Sequence, residues 1–256
     1  MKRHRIAAIL AATLAAASAG CPAPEPREPP PPDRLTLQEE IALGRAAAHA
    51  VADGLGSESD NLPVQAYVRT VGQRVARATR LSDLPYRFAV LDAEEPRGAV
   101  LPGGVIYVTR GLLRRLETEA QLAAALSRQL AHLAAGHVRR ALTDRFSLSV
   151  LREAAVDGMP ADGSGDSQAV RRIARVILDS SYDAEAQREA DRLGLDYLAA
   201  AGYNPAQMAE CLQRTGVGEP RLQHIRAVAE RKYADRRGRI ADDVYRREVL
   251  DRFDKP

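Results

Sequence analysis

At 256 residues with 45% apolar side chains, the chain can build one folded domain of ordinary size plus appendages, which excludes disorder throughout. Lys and Arg number 37 against 34 Asp and Glu, for a formal net charge of +3, so no nucleic-acid footprint is present. Trp is absent and aromatics are 4%, which also argues against a base-stacking platform.

In chain order, Lys2, Arg3 and Arg5 precede the apolar stretch Ile6 to Ala17 and then Ser18-Ala19-Gly20-Cys21. Residues 1–21 therefore read as a secretory signal, its apolar core too short to span a bilayer. Small residues running into Cys21 resemble the bacterial lipoprotein cleavage box, which predicts lipidation of Cys21; the alternative is an ordinary signal cut near Ala19. Pro22 follows the cysteine instead of the aspartate that, in that lipoprotein class, favours inner-membrane retention. The expected location is thus the outer membrane, lipid-anchored and facing the periplasm. Residues 22–36 read as a Pro-rich tether, expected to be extended at about 3 Å per residue. The remaining cysteine, Cys211, lies in a short apolar helical pattern and reads as a buried structural thiol.

From Leu37 the apolar spacing turns helical through Ile41, Leu43, Ala47 and Val51, and a second amphipathic helix runs from about Val64 to Thr79. Strand-like alternation follows over 86–91, 99–101 and 105–109, the last after Pro102-Gly103-Gly104. Helices are predicted over about 111–116, 118–138, 140–156, 168–201, 205–214, 219–234 and 239–252, with a loop at 157–167. The Arg236-Arg237 and Arg246-Arg247 runs, interleaved with Asp235, Asp242 and Asp243, read as a solvated, salt-bridged helix face. The expected organisation is one helix-rich α+β domain over 37–234 with a small β-sheet, followed by a charged C-terminal helix over 235–256.

Within the 118–138 helix the sequence Leu126-Ser127-Arg128-Gln129-Leu130-Ala131-His132 has the layout of a zinc-binding H-E-x-x-H helix with most of the chemistry replaced. Arginine has no lone pair to offer a cation, and glutamine cannot take up a proton at neutral pH. Around it, Glu40 to Arg45, Tyr67-Val68, Leu84 to Phe88, Leu101 to Leu113, Glu119 to Leu126, Glu189 to Gly194 and Ala201 to Pro205 follow in the order seen in one family. Over residues 38 to 230 the chain resembles the periplasmic branch of metallopeptidase family forty-eight, which includes the CAAX prenyl proteases and the outer-membrane β-barrel assembly-enhancing proteases.

The resemblance implies a gluzincin-like, mostly helical metallopeptidase domain. It places the first zinc histidine on Arg128, the general base on Gln129, the second zinc histidine on His132, the third ligand on Gln187 and the aspartate that supports the ligands on Asp191. Other family positions have changed too: Ser-Arg reads Asp183-Ala184, His-Pro reads Glu219-Pro220, and Asn-Ala-Phe-Ala reads Arg97-Gly98-Ala99-Val100. Neither His137 nor Glu189 is a natural replacement ligand, since they lie about 140° and 200° around the helix axis from His132 and Gln187. His137 is expected to cap carbonyls at the helix end, and His132 to be a hydrogen-bonded core residue.

No metal site, cofactor or catalytic residue is therefore expected. Arg128 is expected to sit in the vacated metal position and pair with Asp191, one charge against one. The functional expectation is a catalytically inactive, envelope-anchored homologue that binds polypeptide clients or envelope proteins. The resemblance places an extended client along the strand of Val105, Ile106, Tyr107, Val108 and Thr109 with its Gly103-Gly104 turn. Two alternatives stay open: an active zinc metalloendopeptidase with non-standard ligands, and an adaptor lipoprotein with a filled cleft.

Overall fold

The computed structural model of the chain describes residues 34–157, 167–179 and 182–254. The signal sequence, Cys21, most of the tether and nearly all of the 157–167 loop lie outside them.

Thr36 opens α1 (Leu37–Leu55) with a reciprocal capping box, its hydroxyl accepting from Glu39 N and Glu39 accepting from Thr36 N. Asn61 caps α2 (Leu62–Ala76), where Pro63 occupies the first turn, whose N–H groups have no helical partner. Three strands follow: β1 (Arg87–Leu91), β2 (Gly98–Val100) and β3 (Val105–Thr109). A 3-10 turn at Pro102–Gly104 leads into β3. Then come α3 (Arg110–Arg115), α4 (Glu119–Ala134), α5 (His137–Thr143), α6 (Leu148–Asp157), α7 (Gln168–Asp179), α8 (Ala184–Ala200), α9 (Gln207–Arg214) and α10 (Glu219–Tyr233). The chain closes with α11 (Asp242–Tyr245), a π-helical turn at Arg246–Leu250 and α12 (Asp251–Phe253).

The sheet order is β1-β3-β2, with β3 parallel to β1 and antiparallel to β2. Period-two alternation divides its side chains between two cores. Phe88, Val90, Val100, Ile106 and Val108 join α2, α4, α8, α9 and α10 on one face; Ala89, Leu91, Ala99, Val105 and Tyr107 join α1, α6 and α7 on the other. Covered on both faces and paired on both edges, β3 is buried along its whole length.

This overturns the expectation that Val105, Ile106, Tyr107, Val108 and Thr109 form an open strand for an extended client. β3 is central, because the chain passes through β2 before returning to pair beside β1. Gly103 and Gly104 are likewise buried, Gly103 so close to α1 that a Cβ would lie 2.3 Å from Ile41 Cα. The edge strand on the α4 side is β2.

The single helix expected over 168–201 is two: Asp183 caps α8, accepting from Ala186 N at 2.8 Å. The C-terminal segment contributes Tyr245 and Val249 to the larger core. It is tied down at Glu119, the first residue of α4, which is buried and accepts hydrogen bonds from Tyr67 (2.7 Å), Arg74 (2.7 Å), Tyr203 (2.7 Å) and twice from Arg239 (2.8 and 3.0 Å).

Candidate functional site

α4 and α8 cross closely because α8 carries Gly194, whose Cβ would lie 3.2 Å from Arg128 N. A larger residue would wedge the helices apart. At this separation Gln187 and Asp191, one turn apart on α8, both face Arg128. Arg128 Nε donates to Asp191 Oδ1 and Nη2 donates to Gln187 Oε1, each at 2.7 Å. The expected contact between Arg128 and Asp191 is present.

The expected charge balance is not. Arg221, in the first turn of α10, donates through Nε to Asp191 Oδ2 at 2.5 Å, and through Nη2 to Asp191 Oδ1 at 2.8 Å and Gln187 Oε1 at 3.0 Å. Two guanidinium groups therefore share one carboxylate, whose side chain is only 2% exposed against 17% for Arg128 and 25% for Arg221. Arg221 follows the Glu219-Pro220 pair, and only that position beside a family landmark marked the neighbourhood in the sequence.

His137 does not cap the end of α4. Gly136 takes φ 73° and ψ 15°, a left-handed conformation that suits glycine, and so breaks the helix and turns His137 back. Buried His137 lies with Nδ1 3.0 Å from His132 Nδ1 and with Nε2 3.2 Å from Glu189 Oε2. With both rings neutral, one arrangement satisfies both contacts: His137 Nε2–H donates to Glu189, and His132 Nδ1–H donates to His137 Nδ1. The Tyr182 ring stacks on His132 at 4.1 Å. His132 is thus the hydrogen-bonded core residue expected.

Burial, reinforced by the Arg128 and Arg221 charges, pushes the His132 pKa from 6.5 down to about 2. The unfolded chain therefore takes up this proton first, and the stability tied to neutral His132 is full above about pH 6.5 and lost progressively as pH falls toward 2. Between pH 6.5 and 4.5 the stability of the native sequence should carry a slope of up to about 1.4 kcal/mol per pH unit from this group. Urea unfolding across that range should show the slope reduced in His132→Gln.

The residues at the family's metal positions do not fit a zinc ion. One is a guanidinium without a lone pair, the second is an amide oxygen already accepting from two arginines, and the third, His132, is a single imidazole where zinc takes three or four protein donors. A divalent cation there would also meet two fixed positive charges. His132, His137 and Glu189 form a chain through opposite nitrogens of His137 and do not surround a common point. Among the described residues no group of three or more His, Cys, Asp or Glu is placed to hold a metal.

In front of the arginines lies a cleft of about 310 Å³, lined by Arg97, Gly98, Gln129, His132, Tyr182 and Val217 among others. Gln129 reaches β2, its Nε2 2.8 Å from where a Cβ on Gly98 would stand. Cys211 also borders the cleft, and burial pushes its thiol up to about 12, consistent with a structural role.

The model for peptidase family M48 matches residues 63–235. The chain is 25% identical over 195 residues to the beta-barrel assembly-enhancing protease of Yersinia pestis, covering 70% of this chain and 38% of that protein. It is 22% identical over 217 residues to the protein of the same name from Escherichia coli K12, covering 80% and 44%. Against mitochondrial metalloendopeptidase OMA1 of Schizosaccharomyces pombe it is 26% identical over 167 residues, covering 65% and 48%. The chain thus spans less than half the length of each of these relatives. Because the matched region takes in α4, α8 and the sheet that together frame the cleft, and extends over most of the chain, this protein belongs to peptidase family M48.

Proposed function

We propose that this chain is a non-catalytic member of its family, held at the cell envelope and binding polypeptides or partner proteins through the inherited cleft. One observation carries the reading: the Arg128 guanidinium is hydrogen-bonded to Asp191 and Gln187 where the resemblance places zinc ligands. Gln129 stands where that resemblance places the water-activating glutamate, and a neutral amide cannot act as a general base.

Two relatives named for β-barrel assembly support a role in envelope protein assembly or quality control. An outer-membrane lipid anchor at Cys21 is the matching proposal for location, resting on the sequence alone. Among the described residues no helix is long and apolar enough to cross a membrane. An extended client would meet edge strand β2, whose Gly98 lines the cleft, and not β3. The open volume beside the arginines favours a binding cleft over a filled one.

Metal analysis of purified, tag-free protein should find no stoichiometric zinc, and casein should stay uncut with or without chelator. Stoichiometric zinc accompanied by chelator-sensitive cleavage would establish an active metalloendopeptidase instead.

A further inference from the structure

Arg97, Arg128 and Arg221 all line the cleft, and among the described residues no Asp or Glu does. Asp191 is the carboxylate that contacts Arg128 and Arg221, while Arg97 donates to a neutral group, the Leu178 carbonyl. The lining thus carries a surplus of positive charge that the described residues leave unbalanced. Each of Arg128 and Arg221 spends Nε and Nη2 on Asp191 and Gln187. Nη1 of each has no hydrogen-bond partner among the described residues, yet neither is sealed from solvent. Unspent guanidinium donors in a partly desolvated cleft suit a planar anion, because arginine N–H groups match a carboxylate's paired oxygens. Leu112, Ala125 and Val217 give the same cleft an apolar wall.

We propose that the cleft binds a polypeptide carboxylate, with Arg128 and Arg221 receiving the charge and the apolar wall receiving the neighbouring side chain. This inference rests on the polypeptide-binding reading above and names the feature of the client that the site recognises. The carboxylate comes from a free C-terminus or from an acidic side chain.

The test uses the unmodified full-length chain, labelled and applied to matched arrays of randomised peptides. One array has free C-terminal acids, a second carries C-terminal amides, and a third is amidated with an internal Glu. Fluorescence anisotropy on the best binders then gives affinities. The free-acid form should bind at least about tenfold more tightly than its amide, the effect of one charge-assisted hydrogen bond. Arg128→Gln and Arg221→Gln should each bring acid binding down toward the amide level. Recovery of affinity in the third array would identify side-chain carboxylates as sufficient; no recovery, with the acid preference intact, would identify the terminal one. Equal affinity across the three forms would overturn carboxylate recognition and leave peptide binding standing. Binding to none of them would overturn both.

Discussion

Replacing Asp191 with alanine should cost about 3 kcal/mol of folding stability, the low end of the range for breaking a buried ion pair. The carboxylate is nearly inaccessible and pairs with two guanidinium groups held on separate helices. Without it, Arg128 and Arg221 converge on the single amide oxygen of Gln187. Like charges in a partly desolvated cleft then repel, and their partial exposure sets the estimate at the low end. Arg128→Ala should be milder, about 1 kcal/mol, because Arg221 already occupies both Asp191 oxygens. Urea denaturation of the two variants decides the matter. Equal losses would mean that Arg221 does not carry the pairing the geometry gives it.

Glu119→Gln is expected to lose about 3 kcal/mol at neutral pH, although the side chain keeps its size. A carboxylate accepts from two tyrosines and two arginines here. An amide offers one acceptor oxygen and presents its own N–H groups to those donors. Burial raises the Glu119 pKa, but hydrogen bonds from Arg239, Tyr67 and Tyr203 outweigh it and hold the group below its ordinary 4.5. The folded value lies below the unfolded one, so this contribution is full above about pH 4.5 and lost as pH falls through the folded value. The native protein should destabilise more steeply than Glu119→Gln below pH 4.5. Unfolding free energies measured across that range, with parallel curves for the two proteins, would remove the ionised carboxylate from the account.

The helices and strands were legible because apolar spacing reports which face is buried, and the Arg128–Asp191 contact was legible because residues one turn apart share a helix face. What escaped the sequence depends on three-dimensional closure. Strand order is set by crossovers, so a central strand and an edge strand carry similar alternation. His137 was misplaced because a helical wheel assumes an unbroken helix, and the left-handed Gly136 ends it. Glu189 meets His137 only as a result of that turn. Arg221 comes from a helix 30 residues beyond Asp191, and no local pattern joins them. No local pattern sets Glu119 apart; its role as anchor for Arg239 depends on a return of the chain 120 residues later.

The paired arginines give the cleft a charge that is built into the polypeptide. Guanidinium stays protonated at every pH at which a protein folds, and it is neither stripped by chelators nor exchanged for a competing ion. That positive charge is therefore in place as soon as the chain has folded, with no ion to be loaded.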